Sequence, residues 1–241
     1  MLPFGYHRQH SGEIEELWDE ISPAEFNKRF VALEGFKPVV LRGHQLRSRA
    51  FQEWSDSYIK TTFGHYKVLT EVKSEKRQKF GKSLTNITNF LSQYNTTNQY
   101  VVTVMPDDMR RDVLMPRPLQ CGTFSENMLE LNFWMSSGGT ASQVHYDADH
   151  NIHCLLAGKK SFIMINKDQY HKMQMERLEH TGSNFCPSIN QNKVDMLKDP
   201  WIQDVEYQFT VMNAGDCIFL PSQYTHQVHG TFFVQLKSTS P

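Results

Sequence analysis

The chain has 241 residues, with 25 Lys plus Arg against 26 Asp plus Glu and a formal charge of -1. That length suits one domain with a real core, and the charge balance argues against a nucleic-acid partner. No run approaches the roughly 18 apolar residues of a membrane helix, and the first residues lack a secretory h-region. No membrane partner is therefore expected, and the expected location is cytoplasm or nucleus, with the endoplasmic reticulum lumen as the alternative.

Ile14, Leu17, Trp18 and Ile21 fall at helical spacing, which predicts a helix over 13–21. Ser22-Pro23-Ala24-Glu25 then reads as a capping box with proline at the first helical position, opening a second helix to about Leu33. Residues 37–43 read as a short strand and turn, 51–63 as a helix, 66–72 as a strand and 83–94 as an amphipathic helix. The basic stretch 73–82 reads as a solvated loop or hairpin. Strands are expected over 100–105 and 129–135.

From His145 onward short strands dominate. Gly158 is expected to turn the chain, so that 160–165 becomes the partner of the strand before it. Residues 168–178 suit a short helix, and 180–204 is polar and reads as a long surface connection. Strands over 208–212, 217–220 and 231–236 complete the chain, with a turn at 213–216. Helices first and many short strands later predict a mainly β fold: a double-stranded β-helix, the jelly-roll or cupin-like barrel, with an N-terminal helical layer. One domain is expected over 1–241, the N-terminal layer occupying about 1–98 and the jelly-roll core about 99–238.

Cys154 and Cys217 lie in apolar strands and read as small buried hydrophobes. Cys121 and Cys186 lie in loops and pair only in an oxidising compartment.

His145-Tyr146-Asp147 carries the chemistry. In a strand alternate side chains share a face, so His145 and Asp147 point the same way. An imidazole and a carboxylate on one face make two thirds of the two-His, one-carboxylate triad of non-haem Fe(II) oxygenases. The third ligand must come from far along the chain, and Gly215-Asp216 followed by an apolar strand, Pro221 and His226 offers it. His229 is the rival to His226. Asp149 shares the parity of Asp147, and His150 and His153 offer an accessory pair or, more simply, a loop and a strand histidine with ordinary hydrogen bonds.

With these residues in view, the sequence resembles the JmjC family of Fe(II)- and 2-oxoglutarate-dependent oxygenases, and its small stand-alone hydroxylases more than the large demethylases. The likeness rests on His145-Tyr146-Asp147, Asn151, Gly158-Lys159-Lys160 and Gly215-Asp216 through His226. The resemblance implies Fe(II) on His145, Asp147 and His226. It implies 2-oxoglutarate with its distal carboxylate on Lys160, helped by Tyr100 and Ser142, and Asn151 near the other end. Gln235 stands where several relatives carry an asparagine. Trp134 and Tyr224 are candidates for the substrate entrance. A buried lysine suits the cosubstrate because it offers a compact charge and three donors; alternation would turn Lys159 outward.

The resemblance implies hydroxylation of a protein side chain with O2, releasing succinate and CO2. The partners implied are a protein or peptide substrate and O2, and a monomer is expected because the C-terminal helices through which some relatives dimerise are absent. The alternatives are demethylation of N-methyl-lysine or N-methyl-arginine at the same site, a non-catalytic cupin-like binding module, and a hydroxylase of RNA, which the neutral charge disfavours.

Overall fold

The computed structural model describes residues 3–32, 35–73, 83–120, 123–173, 175–177, 184–186 and 193–240. The N-terminal part places β1 (Gly12–Glu13), β2 (Glu15–Leu17), α1 (Pro23–Phe26), β3 (Val39–Leu41), α2 (Arg49–Glu53), α3 (Asp56–Phe63), β4 (Lys67–Val72), β5 (Ser83–Asn86), α4 (Ile87–Gln93) and β6 (Gln99–Val104). After the one-turn helices α5 (Asp107–Arg110) and α6 (Thr123–Glu126) come β7 (Glu130–Ser136), β8 (Thr140–Ala141), β9 (His145–Tyr146) and β10 (His150–Ile165). The last part holds β11 (Glu176–Arg177), β12 (Asn184–Phe185), β13 (Gln208–Asn213), β14 (Cys217–Leu220) and β15 (Thr225–Ser240).

Two long strands organise the barrel. β10 and β15 pair antiparallel along almost their whole length, from His150↔Ser240 to Ile165↔Thr225. The first half of β10 takes β14 on its other edge and the second half takes β13. The second half of β15 takes β7, and its start takes β9 and β8. Each long strand thus belongs to two sheets, which face one another in a nearly closed, mainly β, jelly-roll architecture. The bend is made where the β10–β15 register shifts, between Leu155 and Ala157 and between Gly158 and Lys160. Gly158 has φ 82°, a conformation that costs a side-chain-bearing residue but not glycine. The expected turn at Gly158 is therefore corrected: the strand bulges and continues, and Lys160 lies on the same strand as His153, not on its neighbour.

Alternation sorts the side chains into three layers. Val40, Tyr100, Leu155, Phe162, Met164, Met212 and Ile218 fill the space between the sheets. On the opposite face of the first sheet, Val39, Leu41, Val101, Phe133 and Phe219 pack on Phe26, Phe30, Trp54, Ile59 and Phe90 from the helical layer. Ser22 caps α1, its hydroxyl accepting from the Glu25 amide at 3.2 Å, and Phe26 and Phe30 are both fully buried. The third layer joins Ile163 and Ile165 to Val144, Cys186, Val194, Ile202 and Val205.

Other expectations need correcting. Residues 13–21 do not form a helix: β1 pairs parallel with β13 and β2 with β3, so sheet edges claim the backbone that the apolar spacing assigned to a helix. The 51–63 helix begins earlier and is broken at Trp54, after which the Ser55 hydroxyl caps α3. The first turn of the 83–94 helix is instead β5, and Asn86 caps what remains, its side chain accepting from the Asn89 amide at 2.7 Å. In place of a helix over 168–178 there is a 3-10 segment, Lys167–Lys172, followed by β11. The 180–204 connection is not wholly superficial, because β12 pairs with β9 and Cys186 and Ile202 are buried in the third layer. Leu33, Leu178, His180 and the basic stretch after Lys73 lie outside the described residues.

Cys154 and Cys217 are direct cross-strand partners on β10 and β14 and are joined by a disulfide. They are buried as expected, but bonded. Cys121, and with it any Cys121–Cys186 pair, lies outside the described residues.

Candidate metal centre

His145 and His226 meet because their strands do. β9 pairs with β15 at a single register position, His145↔His226, which sets the two imidazoles side by side with ring centroids 4.4 Å apart. Asp147 follows β9 immediately, and its backbone carbonyl accepts from the Gln223 amide at 2.7 Å. That bond closes the loop leading into His226 against the segment carrying the other two groups. Gln223 adopts φ 58° there, one of the uncommon left-handed non-glycine residues.

The two rings are oriented by backbone. His145 Nδ1 lies 2.7 Å from the Gln143 carbonyl and His226 Nδ1 lies 2.9 Å from the Tyr224 carbonyl. A carbonyl only accepts, so each Nδ1 carries a hydrogen, and in the neutral ring each Nε2 then keeps the lone pair that a metal needs. Both Nε2 atoms face the Asp147 carboxylate, at 3.9 Å from Oδ1 for His145 and 4.0 Å from Oδ2 for His226. Ligand atoms from the three residues all lie within 4.8 Å of one another. Both histidines are buried, while the Asp147 side chain keeps 19% of its surface exposed. Two imidazole nitrogens and one carboxylate on one side of a gap fit a divalent first-row metal with positions left over, and the group is compatible with iron.

Asn151 supports the carboxylate, its Nδ2 donating to Asp147 Oδ2 at 2.8 Å and more weakly to the Asp149 carbonyl at 3.4 Å. Asn151 Oδ1 is buried with no hydrogen-bond partner among the described residues. Deeper in the barrel, Lys160 is buried and its ammonium stands 5.4 Å over the Trp134 ring. Lys159 is exposed, as alternation requires. Tyr100 is buried with its ring 6.2 Å from that of Trp134, so Tyr100, Trp134 and Lys160 are neighbours.

The Ser142 hydroxyl accepts from the Val228 amide at 2.9 Å, which holds it against β15. The Tyr224 ring is buried between the sheets, with its hydroxyl donating to Gln208 Oε1 at 3.2 Å; burial raises its pKa above the ordinary tyrosine value. Gln235 is paired through its backbone with Leu155 and Trp134; its side chain lies outside those described. His229 falls one step out of phase with His226 and pairs with Ala141 and Ser161, away from the triad. His150 Nδ1 accepts from the Ser222 amide at 3.0 Å and its ring packs on Phe219, the ordinary loop-histidine role, while His153 is buried on the strand. Burial holds the His150 pKa below its ordinary value.

The groups that sequence reasoning missed are mostly backbone: the carbonyls of Gln143 and Tyr224 and the amide of Gln223. They carry no side-chain signature. The available signal was position: two residues before each histidine for the carbonyls, and three before His226 for the amide.

A family model described as "Cupin-like domain" matches residues 23–238. The chain is similar to Lysine-specific demethylase 8 of Danio rerio, 23% identical over 247 residues, covering 94% of this chain and 60% of that protein. It is similar to JmjC domain-containing protein D of Dictyostelium discoideum, 24% identical over 210 residues, covering 73% and 45%. It is also similar to Jumonji C domain-containing protein 5 of Drosophila melanogaster, 23% identical over 236 residues, covering 90% and 56%. The chain thus spans about half the length of these relatives. The match across nearly the whole chain, the jelly-roll fold and these relatives make it a member of the cupin-like domain family, of the JmjC kind.

Proposed function

We propose that the protein is an Fe(II)- and 2-oxoglutarate-dependent dioxygenase that hydroxylates a protein side chain. The observation that carries the proposal is the convergence of His145 Nε2, Asp147 and His226 Nε2, with each imidazole fixed from behind by a backbone carbonyl. Iron is assigned to these three residues. The distal carboxylate of the cosubstrate is assigned to Lys160, with Tyr100 and Ser142 as hydroxyl donors.

Bound iron and 2-oxoglutarate supply the oxidation, consuming O2, releasing succinate and CO2, and leaving a hydroxyl on the substrate. The chain supplies position. The Nδ1 bonds hold both imidazoles in the ligating tautomer. Asn151 restrains one oxygen of Asp147. The buried ammonium of Lys160 gives a carboxylate a charge partner where little water competes. Trp134 walls that end of the cavity. A protein or peptide substrate would approach from the side on which Asp147 is partly exposed.

A second reading is favoured by the names of several relatives, among them Lysine-specific demethylase 8 from Danio rerio and from Xenopus tropicalis. There the same site hydroxylates an N-methyl group, which then leaves as formaldehyde. Mass spectrometry of peptide substrates separates the readings: gain of one oxygen marks the hydroxylase, loss of a methyl group the demethylase. For both, anaerobic Fe(II) with 2-oxoglutarate should give a weak visible charge-transfer band. A folded protein that gives no band and releases no succinate would be a binding module instead.

A further inference from the structure

We infer that His153 is a cosubstrate-binding residue, donating from an imidazole N–H to the distal carboxylate of a dicarboxylate 2-oxo acid beside Lys160. The inference rests on the proposed 2-oxoglutarate site and adds a residue to it.

His153 is buried, in phase on β10 with Asn151 and Leu155. Asn151 touches the Asp147 carboxylate and Leu155 is part of the packing between the sheets. His153 therefore lies one step deeper into the barrel than the residue that supports the metal ligand. Its ring stands edge-on to two aromatics, 6.3 Å from Trp134 and 5.8 Å from Phe162. The Trp134 ring is the one over which the Lys160 ammonium sits, 5.4 Å from its centroid.

Seven residues of straight strand would separate His153 from Lys160 by roughly 23 Å. Both lie against one indole, so the two register shifts bend β10 and turn these nitrogen-bearing side chains, of opposite alternation parity, toward the same ring. Placing an imidazole there costs desolvation, and a carboxylate arriving at Lys160 has lone pairs for more donors than one ammonium directs at it. An imidazole has at least one N–H in either protonation state, so the role does not depend on its charge.

The test is isothermal titration of the Mn(II)-loaded protein with 2-oxoglutarate and, separately, with oxalate, which chelates the metal and has no distal arm. The variants are His153→Leu, His153→Asn and Lys160→Ala. His153→Leu should weaken 2-oxoglutarate by about 10- to 100-fold, the loss of one hydrogen bond to a charged group. It should leave oxalate and Mn(II) affinities unchanged, and His153→Asn, which keeps an N–H donor, should recover part of the loss. If His153→Leu lowers the melting temperature yet binds 2-oxoglutarate like wild type, while Lys160→Ala does not, His153 is structural only and the inference fails alone. If His153→Leu does not fold, equal losses of oxalate and 2-oxoglutarate affinity in His153→Asn overturn it. If wild type binds oxalate but not 2-oxoglutarate, the assignment of the cosubstrate fails and takes the inference with it.

Discussion

Asn151→Ala removes a side-chain donor that the structure places on the Asp147 carboxylate. The bond is short, 2.8 Å, and its donor is on a buried residue. A hydrogen bond to a charged group contributes about 1.5–3 kcal/mol. The Asp147 side chain is 19% exposed, so water replaces part of what is lost, and the lower half of that range applies. The expected result is a fall in metal affinity of about 10- to 40-fold, inside the range for outer-shell partners of metal ligands. The assay is an anaerobic competition titration of Fe(II) or Co(II) against a chelator, with circular dichroism to show an intact fold. Asn151→Asp should do worse, because it sets a second carboxylate against the first. An Asn151→Ala variant that binds metal within about twofold of wild type would show that the backbone alone orients Asp147.

Other outcomes follow from the same geometry. Asp147→Ala should abolish stoichiometric metal binding and succinate release; retained binding by equilibrium dialysis would remove Asp147 from the ligand set. His226→Ala should do the same, whereas His229→Ala should leave metal affinity unchanged, since His229 faces Ala141 and Ser161; the reverse pattern would reassign the second histidine. Reducing the Cys154–Cys217 bond, which spans 63 residues, should cost about 4 kcal/mol, or roughly 10 °C in Tm; an unchanged Tm with both thiols shown to be reactive would contradict this. Burial lowers the pKa of His7, His44, His150 and His229 below 6.5. Below 6.5 the unfolded chain takes up protons that the folded chain refuses, so stability is full above that pH and declines as pH falls toward the folded pKa values. A metal-free Tm that rises on acidification through this range would refute it.

The barrel was legible because its strands repeat a plain signal, short apolar runs between Gly, Pro and Asn turns. The triad was legible because His145 and Asp147 share a strand face, and the distance to His226 is set by one pairing, His145↔His226, that no local pattern encodes. Failures came where tertiary pairing overrode local spacing. Ile14 and Leu17 fit a helix, but the backbone around them, Gly12–Glu13 and Glu15–Leu17, completes two sheet edges. Gly158 fits a turn and serves a bulge instead, since a glycine signals an unusual φ and not what the chain does next. The 180–204 connection looked superficial because its buried residues, Cys186 and Ile202 among them, follow neither a helix nor a strand period. The disulfide was missed because two cysteines sixty residues apart reveal nothing until β10 and β14 are in register.

Beyond Gly158, β10 is oily on both sides: Phe162 and Met164 face the cavity, Ile163 and Ile165 face the third layer. Such a segment has no amphipathic preference to keep its own frame, and sliding it by one would exchange the two sets with little hydrophobic penalty. Its frame is set where the chain passes an achiral residue, at the second of the two register shifts. A valine at 158 would therefore be felt less as a lost contact than as a reading-frame error, trading Lys160 for Lys159 at the base of the cavity while the barrel itself stays shut.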